Sequence, residues 1–535
     1  MSVAGAAFLW FCQRRGYTLY YGDAASHVNI ARRLTDSRTP GYEQIGTVWL
    51  PLPHVLMAPL VRHDALWRSG LGGAIPASFF FVAAAAFLYA SVRRATESRA
   101  GAVTAAGLLA FNPNLLYLQA TPMTEPIFLG FLAAAVYFAV QFHTRPRIGY
   151  ALAAGLAVLA ATLTRYEGWF LIPFFALFFL IRRSPAAAAV FLGLACLGPL
   201  YWLGHNQYLY SDALEFYRGT HSAQAIYARG LAKGYAPYPG DHDLPAAWLY
   251  YRSAMETALG RPAVWLGVAG ALAALLRSQT RPLLLFAVPI PFYLLSLHSA
   301  ATPIFLPSLA PHSYYNTRYA LAALPACAAA VAVIVASWPR PFLRAAAGVA
   351  ALLVCLGGWV ARPSVESWIC WKEAEVNSRG RRDWTRQAAE FFRQRYRSGD
   401  GILTASGDVM AVYQAGGIPL RETLNDGTAL QFLPAVARPD LFLRERWVVA
   451  LAGDPISFHL SNPRPWRRVC ERVAVFRGNE NRWSKSTGKS DDHSLSQRPC
   501  GGQRFPARAR GRPAGRGAIR GPGPRHLRPA LGGGR

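Results

Sequence analysis

The sequence predicts a mainly α fold: a polytopic transmembrane helical bundle of about eleven spans, with interfacial helices and a small C-terminal α/β extracytoplasmic domain. Three observations lead there. The apolar residues, 53% of a 535-residue chain, are gathered into long blocks while charged residues make up only 16%. Arginines recur in every second short loop between those blocks. Beyond residue 361 the apolar blocks stop and a mixed pattern of helix, strand and turn signals begins.

The blocks lie at approximately 1–11, 72–92, 100–118, 121–142, 149–163, 168–181, 186–203, 261–276, 282–298, 317–337 and 342–360. Crossing a hydrocarbon layer of about 30 Å takes roughly 20 apolar residues, and the spanning backbone must satisfy its own hydrogen bonds as helix. The first block is too short to cross alone.

Sidedness follows from the loops at Arg93/Arg94/Arg99, Arg145/Arg147, Arg182/Arg183, Arg277/Arg281 and Arg340/Arg344. All five fall on one face, which the positive-inside bias assigns to the cytoplasm of an inner (plasma) membrane protein. The opposite face receives 16–70, 112–122, 164–167, 205–260, 299–316 and everything after Arg362. The formal net charge of +28 is thereby absorbed by loops and tail, so membrane lipids are the expected partners and nucleic acid is not.

The chain divides into a transmembrane domain over 1–361, an extracytoplasmic α/β domain over 362–478 and a disordered basic tail rich in Arg, Gly and Pro over 479–535. Within the second, 383–396 reads as an amphipathic helix, 401–405 and 447–451 as strands, and Ala415-Gly416-Gly417 and Asn425-Asp426-Gly427 as turns. The seven cysteines form no CxxC pair and no Cys/His cluster of zinc-site spacing, so they assign no metal. Cys370 and Cys470 share the expected outer domain and make a candidate disulfide.

Ionisable residues at helix ends in a membrane protein are expensive and mark candidate sites. The first outer segment carries Gly22-Asp23, with Asp23 opening an interfacial helix that continues through His27 to Arg32 and Arg33. Asp23 is either an N-cap acceptor or a functional acid. Asp23 and His27, four residues apart, have the spacing of a metal-chelating pair, but such pairs are common on helices and no cofactor or divalent metal is otherwise indicated.

The second outer loop places Glu125 at the mouth of a span after Thr121-Pro122-Met123-Thr124, where an acid also favours the helix dipole. The third, Thr164-Arg165-Tyr166-Glu167-Gly168-Trp169, sets an Arg and a Glu between two apolar helices, either as an ion pair or as a site. The fourth brings His312, Tyr315 and Arg318 to the start of the next span, through Pro311-His312 and Tyr315-Asn316-Thr317-Arg318-Tyr319.

In their order and common sidedness these motifs resemble the C-type glycosyltransferase superfamily, with protein O-mannosyltransferases and lipid A aminoarabinose transferases the most similar branches. The resemblance covers approximately residues 1–480. It departs from the pattern in carrying Glu at position 125 where aspartate is frequent, and in its short first span. The resemblance implies an enzyme that takes a sugar from a polyprenyl-monophosphate donor, with inversion, to an acceptor hydroxyl on the outer face; the acceptor is a glycan, lipid or protein.

The implied catalytic residues are Asp23 as general base and Glu125 positioning acceptor or arginine, with Arg165 and Arg318 on the donor phosphate. His27, Tyr166, Glu167, His312 and Tyr315 are the supporting set. No glycine-rich phosphate loop of Walker type appears, which favours a lipid donor over a nucleotide donor. The competing class is a multi-span transporter or lipid flippase, which places polar residues near the membrane midplane within repeated halves; neither feature is found in the sequence. A cavity bounded by Asp23, Glu125 and Arg318 separates the two classes in favour of a transferase.

Overall fold

The computed structural model describes residues 2–461, 466, 473–477 and 495–499. Each apolar block becomes helix, yet fewer are full spans than the block count suggests. Among the described residues six helices are long and apolar enough to cross a membrane: Leu71–Thr96, Glu125–Thr144, Pro185–Tyr210, Arg281–His298, Thr317–Ala336 and Pro341–Ala361. The number rises to eight if two bent pairs each count as one.

The bends have local causes. Asn112 caps the second half of the first pair, accepting from the Asn114 and Leu115 amides at 3.0 and 3.1 Å, and Pro113 follows at the first helical position. The two halves, Arg99–Ala110 and Pro113–Gln119, therefore meet at 63°. Gly260, at φ 89°, turns Leu244–Leu259 into Arg261–Leu275 by 110°. Ile148–Thr162 and Glu167–Ile181 are apolar helices of 15 residues each, shorter than a full crossing. The N-terminal helix, Ser2–Arg15, is likewise short at 14 residues.

Arginine loops gather at one end of the bundle. Arg94 donates to Thr144 Oγ1 at 3.1 Å and Arg182 to the His143 carbonyl at 3.3 Å, so three of the five loops touch. At the other end the Gly22–Arg33 helix lies against the bundle. Gly73, in the Leu71–Thr96 helix, makes that approach possible: a Cβ there would fall 2.5 Å from Pro122 and 3.0 Å from Val28.

The C-terminal part begins with one long helix, Ile369–Arg395, which starts well before the expected 383. Its first half is rich in charge, but Glu373 and Arg381 are buried against the bundle, which no hydropathy pattern reveals. A five-stranded sheet follows in the order β2-β1-β3-β5-β4, with β1 Ile402–Thr404, β2 Thr423–Leu424, β3 Trp447–Leu451, β4 Ala474–Phe476 and β5 Leu495–Pro499. β1 is parallel to both β2 and β3, and β5 runs antiparallel to β3 and β4. The strands expected at 401–405 and 447–451 are present; of the expected turn 415–417, Ala415 and Gly416 end the helix Met410–Gly416 and Gly417 caps it in left-handed backbone, and Asp426 and Gly427 of the other belong to a turn of 3-10 helix.

β5 lies within the segment expected to be disordered; the remainder of 479–535 lies outside the described residues. Cys370 is a buried free cysteine and Cys470 lies outside the described residues. An apolar cluster joins the two parts, in which Val28, Met57 and Trp67 pack with Trp384, Tyr413, Leu420 and Trp447.

Candidate active site

The site grows from the starts of four helical segments that open at the same end of the bundle. Asp23 sits in the first turn of Gly22–Arg33, Glu125 and Glu167 each begin a helix, and Arg318 lies one residue into the turn of 3-10 helix that leads into Leu324–Ala336. Tyr21 occupies the N-cap position of that helix, so Asp23, one residue inside it, does not take the N-cap role weighed for it and instead forms an ion pair with Arg318.

Arg318 is the hub. Its Nη2 donates to Asp23 Oδ2 at 2.6 Å, its Nε to Glu125 Oε1 at 3.1 Å and its Nη1 to Glu373 Oε1 at 3.2 Å. The rings of Tyr21 and Tyr319 flank the guanidinium with centroids 5.0 and 4.9 Å away. Arg165 forms the second node. It donates to Glu167 Oε1 at 2.7 Å, to Thr124 Oγ1 at 2.8 Å and to Tyr293 Oη at 3.1 Å, and lies 3.2 Å from Glu125 Oε1. Tyr293 in turn donates to Glu167.

Glu125 thus holds both guanidiniums through one oxygen, while its Oε2 is buried without a partner among the described residues. The other acids are just as deep. Side-chain exposure is 7% for Glu125, 4% for Glu167 and 2% for Glu373, against 42% for Asp23.

Asp23, Arg165, Glu167 and Arg318 line a cavity of about 2340 Å³, which the 406–408 and 426–428 turns of the α/β part also border. Glu125 does not line it. It sits behind the wall because Arg165 and Arg318 close over it, so the expected boundary of Asp23, Glu125 and Arg318 is corrected to Asp23, Glu167 and the two arginines.

The supporting residues divide. His27 lines the cavity, but its Nδ1 lies 3.0 Å from His54 Nε2 and Trp49 packs on its ring at 4.7 Å. Burial, and then the charges of Arg165 and Arg318, lower the His27 pKa to about 3, so the imidazole is neutral near neutral pH. Asp23 turns to Arg318 and His27 to His54, which splits the pair weighed as a chelate. Among the described residues no three His, Cys, Asp or Glu converge on a common metal position.

Tyr166 turns from the charged cluster, donating to the Val48 carbonyl at 2.8 Å and accepting from Trp202 Nε1 at 3.1 Å. Tyr315 is half-exposed on the cavity wall, its backbone paired with Phe305, and His312 is exposed at the rim in left-handed backbone. His312 makes no contact with the arginine cluster, since its Nδ1 lies 3.0 Å from the Pro307 carbonyl.

Glu373, like Tyr293, is a residue the sequence reading misses. It accepts from Arg318, from the Asn316 and Thr317 amides at 3.0 and 2.7 Å, and from Thr317 Oγ1 at 2.6 Å. Burial raises its carboxyl pKa, with the Arg318 charge and the Thr317 and Asn316 donors pulling against that rise. In sequence it is one acid in a charged amphipathic helix and carries no distinguishing signal. Arg381, from the same helix, donates to the Tyr20 carbonyl at 2.5 Å and pairs with Asp408 at 3.2 Å. It passes so close to Gly22 that a Cβ there would lie 2.6 Å from its Nη1, which accounts for glycine immediately before Asp23.

Residues 67–202 match the dolichyl-phosphate-mannose-protein mannosyltransferase family. The chain is similar to the C-type glycosyltransferases. The matched stretch includes Glu125, Arg165 and Glu167 and stops short of Asp23 on one side and Arg318 on the other. Among solved structures, ArnT from Cupriavidus metallidurans bound to undecaprenyl phosphate is 13% identical, with 92% of this chain and 97% of that chain covered at a TM-score of 0.49. The apo oligosaccharyltransferase of Archaeoglobus fulgidus is 12% identical, with 83% and 69% covered at a TM-score of 0.42. No curated protein matches the sequence.

Proposed function

We propose that this membrane glycosyltransferase-like chain moves a sugar from a polyprenyl-monophosphate donor to an acceptor hydroxyl, with Asp23 as the base. The observation that carries the reading is the asymmetry among the four acids bound to the two arginines. Three are 7% exposed or less, whereas the carboxylate of Asp23 is 42% exposed where it lines the cavity. A general base must reach the proton it removes, so accessibility selects Asp23 over Glu125.

In this mechanism the acceptor oxygen approaches Asp23, gives up its proton there as it bonds to the anomeric carbon, and the sugar inverts as the phosphate leaves. Arg318 spends three of its five N–H donors on carboxylates, leaving two for a phosphate oxygen. A donor already fixed in place needs no reorganisation as charge gathers on the leaving group. Glu125 sets both guanidiniums in register from behind, Glu167 and Tyr293 hold Arg165, and Glu373 holds Arg318 from the C-terminal side. The reaction face is the extracytoplasmic one, supported by the arginine loops at the opposite end of the bundle.

The test offers radiolabelled polyprenyl-monophosphate sugars, one at a time, to membranes carrying the chain. Transfer from one of them that is lost in Asp23→Asn is the expected result. Transfer that is equal in parent and variant, or found only with nucleotide sugars, refutes the reading.

A further inference from the structure

Six basic side chains line the cavity: Arg33, Arg165, Arg318, Lys372, Arg379 and Arg381. Five have a carboxylate partner. Arg33 is the exception among the described residues. Its Nη2 donates to the Gln44 carbonyl at a long 3.3 Å and its Nε is buried with no acceptor. Asp426 is the acid nearest in charge effect, but its two oxygens accept from the Ser406 amide and hydroxyl at 2.8 and 2.7 Å. Burial accordingly lowers the guanidinium pKa from its ordinary value, with Asp426 and Tyr210 acting in the opposite sense. Arg33 is half-buried with its Nε fully buried, and a cation so placed without an ion-pair partner marks a place where an anion can arrive.

The position of Arg33 separates it from the phosphate already assigned. Asp23, Ser26, His27, Ile30 and Arg33 form one cavity-facing stripe on the Gly22–Arg33 helix. Ten residues at a rise of 1.5 Å put Arg33 about 15 Å along the axis from Asp23. Reacting atoms sit about 3–3.5 Å apart in a productive complex, so the phosphorus joined through oxygen to the anomeric carbon lies within about half of that 15 Å from the base. An anion at Arg33 is therefore a different group from the donor phosphate. Gln44, which donates to the Thr39 carbonyl at 2.9 Å and the Gly427 carbonyl at 3.3 Å, joins this end of the cavity to the α/β part.

We propose that Arg33 forms a second anion subsite, which receives a phosphate or carboxylate carried by the acceptor some way from the hydroxyl that is glycosylated. The inference rests on the transferase reading for the word acceptor, and on the geometry alone for the anion.

The experiment uses the full chain in neutral detergent and two probes, inorganic phosphate and undecaprenyl monophosphate, with affinities read by titration calorimetry. Arg33→Gln is expected to weaken inorganic phosphate at least tenfold, Arg33→Lys to recover part of that loss, and undecaprenyl monophosphate to bind both variants within twofold of the parent. Unchanged phosphate affinity in Arg33→Gln overturns the subsite, provided the variant's thermal midpoint matches the parent's. A parallel loss of undecaprenyl monophosphate gives Arg33 to the donor and overturns the assignment to the acceptor. Displacement of inorganic phosphate from the parent, but not from Arg33→Gln, by phosphatidylglycerol micelles makes a bulk lipid headgroup the occupant and overturns it equally. Phosphate binding needs no turnover, so a chain that binds it through Arg33 and transfers no sugar refutes the proposed function while leaving the subsite intact.

Discussion

Replacing Asp23 with Asn separates chemistry from folding because the two effects differ in size at this position. The Asp23 carboxylate is 42% exposed and its structural tie is the ion pair with Arg318 at 2.6 Å. The pair's Asp23 end is open to solvent and Arg318 keeps Glu125 and Glu373, so the pair contributes about 1 kcal/mol to stability. Asn keeps the shape and turns its carbonyl oxygen to Arg318 Nη2, so even that contribution is only partly lost, and the other three acids still hold the two guanidiniums.

An amide cannot take the acceptor's proton. Loss of a general base lowers turnover by about 10²–10⁴-fold, or about 3–5 kcal/mol in the barrier. The assay compares three quantities in one preparation: thermal midpoint, donor affinity and single-turnover transfer. The first two should stay near the parent values while transfer falls at least a hundredfold. Asp23→Asn activity within a few-fold of the parent, with Glu125→Gln inactive, would refute the reasoning from exposure and move the base to the buried acid.

Glu373→Gln should act the other way, on stability as well as turnover. An amide nitrogen cannot accept from Thr317 N and Oγ1, and the two lost bonds at a 2% exposed position cost about 2–6 kcal/mol, read as a lower denaturation midpoint. An unchanged midpoint would show that Glu373 is not the anchor described. His27 gives a pH dependence of definite sign. Its folded pKa of about 3 lies below the ordinary 6.5, so its contribution to stability is full above pH 6.5 and declines as the pH falls toward 3. His54 is lowered in the same direction, first by burial and then by His27, and a midpoint that rises on acidification in that window would contradict both. Finally, a reporter fused after Gly380 should show alkaline-phosphatase activity; fluorescence from a reporter that matures only in the cytoplasm would reverse the proposed orientation.

Asp23, Glu125, Arg165, Glu167 and Arg318 are legible because each sits at or beside the start of a helical segment. Alternate loops of a bundle share an end, so acids and bases at successive outer mouths converge whatever their separation in sequence, which for Asp23 and Arg318 is 295 positions. Hydropathy read helices well and spans poorly. It measures the length of an apolar run, whereas Asn112-Pro113 and Gly260 break two runs by turning the backbone. Glu373 and Tyr293 stayed hidden for opposite reasons. One is an acid among surface charges, the other a hydroxyl inside an apolar block, and only tertiary contact distinguishes either from its neighbours. His27 was read as a partner of the site, but the ring that decides its state belongs to His54, in a stretch without any charged motif.

The C-terminal part is built into the site and not merely attached above it, because it holds the helix that carries Asp23 along its whole length. Before that helix, Arg381 grips the Tyr20 carbonyl. At its middle, Trp67 Nε1 donates to Asn29 Oδ1 at 2.9 Å while Gln414 donates to the Trp67 carbonyl at 2.7 Å, closing a buried link to the α/β part. Near its end, Arg32 pairs with Asp36 at 2.7 Å and Asp36 with Arg421 at 3.0 Å. Glu373 of the same C-terminal part completes the shell of Arg318. Removing one partner from a buried charge network leaves its mate unpaired, which is far more unfavourable than a lost surface pair. A shift of the α/β part would therefore be felt at the Asp23–Arg318 contact through the backbone of the Gly22–Arg33 helix and, separately, through Glu373. The cavity, bordered by the 406–408 and 426–428 turns on one side and by Asp23 and Arg318 on the other, is then coupled to the charged cluster at both ends by side chains already in place. Under the proposed function, an acceptor bound against those turns would steady Asp23 without touching it.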